Sequence, residues 1–179
     1  MPTTRVKIAW NSTTTENLKL LNKALANMTT FGKKQLIDEP DKLIPGDEFA
    51  EMLGVSEETV RQRLQAGTLI AIVSAGRERG CGLPVFQTWD GIAGAPMEQV
   101  LKAIGYEGPG KDVDAADAFQ FFVGRNDLLG GFTPVEVLTG AGMPDPDDIE
   151  AAEFLAKPDQ ERLEFVISVA HALMEARDA

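Results

Sequence analysis

The stretch PGDEFAEMLGVSEETVRQRLQAG, from Pro45 to Gly67, decides the fold. Phe49 and Leu53 share one face of a predicted first helix, because residues four apart are neighbours on a helix surface. Gly54 follows where the chain must turn, and glycine adopts the positive φ of such a turn without strain. Ser56 can then cap a second helix through its hydroxyl. The segment therefore predicts a helix-turn-helix.

The second helix of this motif has an apolar side and a polar side. Val60 and Leu64 are four apart and face the core, so the polar side chains between them point outward. In a DNA-bound helix-turn-helix, the second helix presents its N-terminal residues to base edges in the major groove. Gln62 and Arg61 can read adenine or guanine edges there, while hydroxyls and a flanking arginine can contact phosphates. The candidate DNA-contacting residues on this helix are Ser56, Glu58, Thr59, Arg61, Gln62 and Arg63.

Two carboxylates at the start of the same helix oppose DNA binding. Glu57 and Glu58 repel phosphates, although a glutamate can accept a hydrogen bond from cytosine. Helix pairs of this kind also dock other proteins. A protein-docking module that has lost DNA binding therefore stays an alternative.

A β-hairpin is predicted after the helix-turn-helix, between Leu69 and Phe86. Its arms are rich in β-branched and other apolar residues, and glycines surround its tip. Arg77 and Arg79 at this tip can follow the phosphate backbone of DNA, as the wing of a DNA-binding domain does. A solvated turn without DNA contact is the alternative interpretation.

Apolar residues at helical spacing dominate the rest of the chain. A stripe from Leu18 to Met28 predicts a helix over about residues 15–31 that packs on the body of the protein. Further helices are predicted at 96–104, 112–123, 133–138, 146–155 and 158–177, the last with a buried stripe of Leu163, Val166, Ala170 and Leu173. The predicted fold is mostly α. It consists of an N-terminal helical segment (1–40), a helix-turn-helix with a small β-hairpin (41–90) and a helical C-terminal partner-binding domain (91–179).

The charge of the chain is unevenly distributed. The formal net charge is −11, which at first sight argues against nucleic acid as a partner. Residues 1–80 have a balance of +1 and residues 81–179 a balance of −12. This asymmetry favours two different partner surfaces, one for each half. An acidic half that only maintains solubility is the alternative.

Several functional classes find no support in the residues. One cysteine, Cys81, and one histidine, His171, provide neither a disulfide framework nor a Cys/His zinc cluster. The acidic run from Asp145 to Glu150 lacks the spacing of a calcium loop, and Gly108–Lys111 lacks that of a phosphate-binding loop. We expect no catalytic residues, no metal and no cofactor. The absence of a long apolar run indicates a cytoplasmic protein with no membrane partner.

A short sequence segment after the middle of the chain is the most informative one outside the helix-turn-helix. It reads FFVGRNDLLGGFTPVEVL, from Phe121 to Leu138. Gly130 and Gly131 permit a sharp reversal, Thr133 can cap the next helix, and Pro134 suits its first position. Upstream of it come LPVFQTW at 83–89 and GAPMEQVLKAI at 94–104. By itself the string describes a helix-loop-helix joint.

Taken together, residues 44–140 resemble the Xre/MbcA/ParS antitoxins, which pair with RES-domain toxins. The string from Asn126 to Leu138 is similar to the signature of their toxin-binding domain. The resemblance implies an N-terminal module that binds operator DNA and represses its own operon. It also implies a C-terminal toxin-binding domain that covers the NAD-using active site of a RES-domain toxin, in a homodimer or a higher hetero-oligomer. The partner-binding residues that it implies are Arg125, Asn126, Leu128, Gly130, Gly131, Phe132 and Thr133.

The chain departs from the family pattern in three places, the first being Glu57 and Glu58, where the family more often has neutral or basic residues. Asn126 is followed by Asp127, where the family usually has proline, and a long predicted helix extends beyond the signature. A stand-alone winged-helix or MerR-like transcriptional regulator, whose C-terminal half oligomerises or senses a ligand, is the alternative function.

Overall fold

The computed structural model describes residues 39–73 and 81–178. Within these ranges the chain is mostly helical with one small antiparallel sheet, so the predicted fold class is confirmed. The helix predicted at 15–31 and the hairpin tip with Arg77 and Arg79 lie outside the described residues. In the part of the chain that is described, no helix combines the length and the apolar character needed to cross a bilayer.

The helix-turn-helix consists of α1 (Gly46–Leu53) and α2 (Glu57–Gln65). Gly54 lies between them in the left-handed region, with φ of 66°, and its N–H points at the last carbonyls of α1. The Ser56 hydroxyl accepts a hydrogen bond from the Thr59 N–H at 3.1 Å and caps α2. The turn and the cap are therefore those predicted from the sequence.

The sheet has three short strands in the order β1–β3–β2. These are β1 (Leu43–Ile44), β2 (Ile72–Val73) and β3 (Cys81–Pro84), all antiparallel to their neighbours. The predicted hairpin is present as β2 and β3, although its paired arms are shorter than the apolar runs. β1 was not predicted, because two residues carry no periodic signal and its pairing is decided by the distant strand β3.

Five further helices and two 3₁₀ turns follow the sheet. The elements are a 3₁₀ turn at Val85–Thr88, α3 (Ala95–Ala103), α4 (Ala115–Val123), a 3₁₀ turn at Asp127–Leu129, α5 (Pro134–Thr139), α6 (Ile149–Leu155) and α7 (Asp159–Asp178). The predicted start of α6 at residue 146 is wrong. Asp148 caps that helix by accepting from the Ala151 N–H at 2.9 Å, so the residues before it form a turn.

Two hydrophobic clusters form the core. The smaller one lies under the helix-turn-helix and contains Ile44, Phe49, Ala50, Val60, Leu69 and Leu83. The larger one contains residues of the helices from α3 through α7. Ile70, Phe86 and Trp89 from the preceding segment also pack into it. The domain boundary predicted near residue 90 stays a prediction.

The buried side of α7 differs from the predicted stripe at its end. Leu163, Val166 and Ala170 are buried as expected, but Leu173 is 40% exposed. Met174 takes the inward position instead, with its methyl 3.5 Å from the place a Cβ of Gly105 would occupy. The next inward position lies four residues after Ala170 instead of three, because an α-helix has 3.6 residues per turn.

Arg162 on α7 is buried and joins three helices. Its Nε donates to the Val137 carbonyl at 2.7 Å and one Nη donates to Leu138, both at the end of α5. The other Nη donates to the Leu155 and Lys157 carbonyls at the end of α6. The guanidinium therefore donates to carbonyls at the ends of two helices, of which that of Val137 also accepts from the Gly140 N–H.

Candidate DNA-binding and partner-binding surfaces

The outward side of α2 is polar and accessible. Val60 is buried and Leu64 is half-buried, as the predicted register requires. Glu58, Arg61 and Gln62 are exposed on the opposite side. The structure thus places these three candidate DNA-contacting side chains together on one face.

Glu58 contacts both of the residues assigned to base reading. Its Oε2 lies 3.5 Å from an Nη of Arg61, and its Oε1 accepts from Nε2 of Gln62 at 3.4 Å. Exposed pairs of this kind contribute about 0.2–1 kcal/mol or nothing. The arrangement therefore reduces the positive charge of the face without fixing its side chains.

The two hydroxyls at the start of α2 bond to each other as well as to the backbone. Ser56 Oγ and Thr59 Oγ1 are 2.9 Å apart, and Ser56 Oγ also accepts the capping bond. Ser56 is exposed and Thr59 is half-buried. Arg63 is half-buried on the flank of the helix. These three residues surround the exposed face, as a role in phosphate contact requires.

The end of α2 is held to the larger core by a contact between backbones. Gly67 has φ of 71°, and a Cβ there would lie 2.5 Å from the carbonyl carbon of Glu107. A Cβ on Gly108 would in turn lie 3.0 Å from the carbonyl oxygen of Gln65. No side chain separates the two segments at this point. The orientation of α2 relative to the larger core is therefore set by main-chain packing.

The loop that carries the family signature is closed by its own hydrogen bonds. The Asn126 N–H donates to the Phe132 carbonyl at 3.1 Å, and the Gly131 N–H donates to the Asn126 carbonyl at 2.9 Å. The Asn126 side chain accepts from the Leu128 N–H at 2.9 Å. Arg125 donates to the Gly131 carbonyl at 2.9 Å. Both glycines have positive φ, which the reversal requires.

The far side of this loop is anchored in the core. Thr133 and Glu136 form a reciprocal capping box at the start of α5, with distances of 3.1 and 2.7 Å. Phe132 is buried beside Gly142, where a Cβ would lie 2.8 Å from its ring. Arg125, Asn126, Gly131, Phe132 and Thr133 thus shape the loop, whereas Leu128 is 55% exposed. Leu128 is the large apolar side chain that the loop presents to solvent.

A shallow depression, here called the Leu128 groove, lies beside this side chain. The loop, α6 and α7 enclose a volume of about 240 Å³. Mostly apolar residues line it, together with the acidic residues Asp148 and Glu150. The rings of Phe154 and Phe165 meet edge to face, with centroids 4.9 Å apart. The large apolar side chains that line the groove include Leu128, Phe132, Phe154 and Phe165.

Sequence reasoning missed the aromatic part of this groove. Phe154 and Phe165 lie beyond the signature string, on helices that the resemblance does not cover. One signal was present, since Phe165 falls outside the buried stripe of Leu163, Val166 and Ala170. Such a residue indicates a binding surface only where further exposed apolar side chains adjoin it, and the sequence did not show that Phe154 and Leu128 do so.

The acidic residues before α6 do not form a metal site. Among the residues that the structure describes, no group of three or more His, Cys, Asp or Glu side chains could hold a metal ion. Asp145 instead accepts from the Asp147 N–H at 3.1 Å, and Asp148 caps α6. These carboxylates shape the turn and contribute negative charge to the surface.

Comparisons of the chain with protein-family models, with curated proteins and with solved structures give no match. The family resemblance therefore depends on the quoted residues alone. The geometry of α2 and of the Leu128 groove supplies the independent argument for a function.

Proposed function

We propose that this protein is a DNA-binding antitoxin of the Xre/MbcA/ParS type. It binds and neutralises a RES-type, NAD-consuming toxin, represses its own operon through the helix-turn-helix, and has no catalytic role. The observation that carries the proposal is the signature loop, which uses its hydrogen bonds to hold Leu128 in solvent. Leu128 lines one groove together with Phe154 and Phe165, and a contiguous apolar patch of this kind is typical of a docking surface, because its burial on association is favourable.

The DNA-binding half of the proposal is supported by α2. Its exposed face combines Arg61 and Gln62, the residue types that read guanine and adenine edges. Its neighbours Ser56, Thr59 and Arg63 provide phosphate contacts. Because Glu57 and Glu58 oppose the phosphates, a single copy binds DNA weakly, and a homodimer or a toxin-bound oligomer provides the affinity by engaging two half-sites.

The two roles belong to separate faces of the protein. None of the residues that line the Leu128 groove lies on α2. The groove and its surroundings are acidic, so this face repels DNA and is left for a protein partner. A cytoplasmic location, in which both the operator and the toxin are accessible, belongs to the same proposal.

The experiment is co-expression with the RES-type toxin encoded by a neighbouring reading frame. We expect rescue of growth, a stable complex, and retardation of DNA from upstream of the gene in a mobility-shift assay. In Arg61→Ala with Gln62→Ala, operator affinity falls while toxin binding is retained. Equal loss of both activities would contradict a protein with two separate surfaces.

A second candidate is a stand-alone winged-helix regulator. It is favoured by the sheet, since β2 and β3 come directly after α2 in the chain and pair antiparallel, as the strands of a wing do after a recognition helix. Such a regulator binds its operator without any partner. It also fails to rescue growth when a toxin is expressed, so the same co-expression experiment separates the two functions.

A further inference from the structure

The Leu128 groove has the size of a site for a protein side chain. Its volume of about 240 Å³ is below the range of roughly 300–1,000 Å³ that small-molecule sites occupy. It is open, and its aromatic walls Phe154 and Phe165 reach solvent at the rim. A single large apolar side chain from another protein therefore fits it better than a cofactor does.

The charge around the groove restricts what can bind there. Residues 125–165, which include the loop, α5, α6 and the start of α7, contain ten Asp or Glu and three Lys or Arg. Arg125 is exposed in the loop, where it donates to the Gly131 carbonyl, and the two other cations lie further along the chain. One of those two cations is Arg162, which is buried against helix-end carbonyls. The other, Lys157, is 4.0 Å from Glu161. Most of the chain's excess negative charge therefore lies in this segment, and Asp148 and Glu150 bring two of its carboxylates to the groove.

This charge excludes three classes of occupant. Nucleic acid and anionic lipid surfaces are repelled by carboxylates at the rim. A second copy in a two-fold arrangement would bring two acidic patches together, because such an interface uses the same surface of both copies. A positively charged protein segment is the class that the charge favours.

We infer that the Leu128 groove binds a basic segment of the partner, one that inserts a large apolar side chain between Leu128 and Phe165 and pairs its cations with Asp148 and Glu150. This inference rests on the proposed function, in that the partner is the toxin that the protein neutralises. It adds the site of contact and the chemistry of the toxin segment. The apolar side chain provides affinity, and the carboxylates provide orientation and rate of association.

The test uses the full-length protein and the RES-type toxin from the neighbouring reading frame, with dissociation constants measured by calorimetry. Leu128→Ser and Phe165→Ser each weaken binding about tenfold or more, as expected for apolar residues at the centre of an interface. The matched control is Leu173→Ser, since Leu173 is 40% exposed and Phe165 is 38% exposed on the same helix. The control binds the toxin like the unaltered protein.

The charge is tested by Asp148→Asn combined with Glu150→Gln. Asparagine retains the cap of α6, so the helix start is preserved. We expect a slower association rate and a smaller effect of salt on affinity. Neutralising Glu98 and Glu107 instead, two exposed carboxylates outside the groove, leaves both quantities unchanged.

Each other result has a definite meaning. If a complex forms and the groove variants bind as tightly as the unaltered protein, the inference is wrong and the proposed function stands. If no complex forms with the toxin, both are wrong. If the groove variants bind the toxin more tightly, the inference is wrong, because the groove is then occupied by a segment that competes with the toxin. The candidate for that segment is the chain's own residues 1–38, which have a net charge of +4. Loss of self-association in Leu128→Ser, with toxin affinity unchanged, would assign it to a second copy.

Discussion

Gln87 completes the hydrogen bonding of Ile70 in the way that a neighbouring strand would. Its Oε1 accepts from the Ile70 N–H at 2.8 Å, and its Nε2 donates to the Ile70 carbonyl at 2.9 Å. Both residues are buried. The side chain thus satisfies backbone groups at the place where the chain leaves the helix-turn-helix and enters the larger core.

Gln87→Ala is therefore expected to lower the free energy of unfolding by about 2–4 kcal/mol, because two buried backbone groups of Ile70 lose their partner. Gln99→Ala is the control, since the Gln99 amide is exposed and makes one long bond to Ala95. Urea denaturation followed by circular dichroism measures both. Equal stability of the two variants would contradict a structural role for the Gln87 amide.

Alanine substitutions at Gly67 and Gly54 test the backbone contact at the end of α2, with Gly54 as the control. Both have positive φ, so alanine costs about 1–2 kcal/mol of backbone strain at either position. A Cβ at Gly54 meets nothing within 4 Å, whereas one at Gly67 overlaps the Glu107 carbonyl carbon. Gly67→Ala should be clearly more destabilising than Gly54→Ala in thermal unfolding. Similar melting temperatures would mean that the segment around Glu107 moves to accommodate the new Cβ without a loss of stability.

Removal of the buried guanidinium should loosen three helices at once. Arg162→Met removes a buried donor from the carbonyls of Val137, Leu138 and Leu155 and is expected to cost about 3–5 kcal/mol. Arg177→Met removes an exposed arginine of the same helix, 3.9 Å from Asp117, and should stay within about 0.5 kcal/mol. Chemical denaturation compares them. An unfolding free energy unchanged in Arg162→Met would show that water replaces the guanidinium.

If α2 binds DNA as proposed, Glu58→Gln should increase affinity for DNA several-fold, mainly at low salt, because it removes a carboxylate from the exposed face of α2 and the ion pair that Glu58 makes with Arg61. Glu98→Gln removes the same charge from an exposed position on α3 and serves as the control. Fluorescence anisotropy with labelled operator DNA at two salt concentrations measures the effect. Weaker binding of Glu58→Gln would instead assign Glu58 a direct contact with cytosine.

The stability of the fold should fall at alkaline pH through Tyr106. Burial raises the pKa of its phenol above the ordinary value of 10.0, and the carboxylate of Asp114 raises it further. Above about pH 10 the unfolded chain loses this proton first, so stability present at lower pH is lost as the pH rises through the folded-state pKa. Tyr106→Phe should show a shallower decline.

Tyr106 is the one tyrosine of the chain, so tyrosinate absorbance during an alkaline titration reports on it directly. The native protein should ionise at higher pH than the protein in denaturant. Coincident titration curves would contradict the raised pKa.

The features that the sequence predicted correctly follow local rules. Gly54 and Ser56 mark a turn and a cap whose geometry depends on a few adjacent residues, and Thr133 with Glu136 forms a capping box for the same reason. Such signals do not depend on the rest of the fold. The helix-turn-helix and the joint before α5 can therefore be located from the amino-acid sequence alone.

The features that escaped prediction are decided by distant contacts. β1 exists because Ile44 pairs with Leu83, and no residue near β1 indicates that pairing. The Leu128 groove requires Phe154 and Phe165 to meet across two helices. Positions of this kind depend on tertiary packing, which overrides local propensity.

The contact of Gly67 with Glu107 and Gly108 has a consequence for genetics. Because main chain meets main chain there, α2 and the segment at residues 107–108 have no side chain between them at this point that could be shortened to relieve a clash. If the protein represses its own operon as proposed, a selection for mutants that no longer repress should recover substitutions at Gly108, a buried residue outside the exposed face of α2. Second-site suppressors of such mutants should map to the backbone path around Gln65 and Gly67 rather than to Arg61 or Gln62.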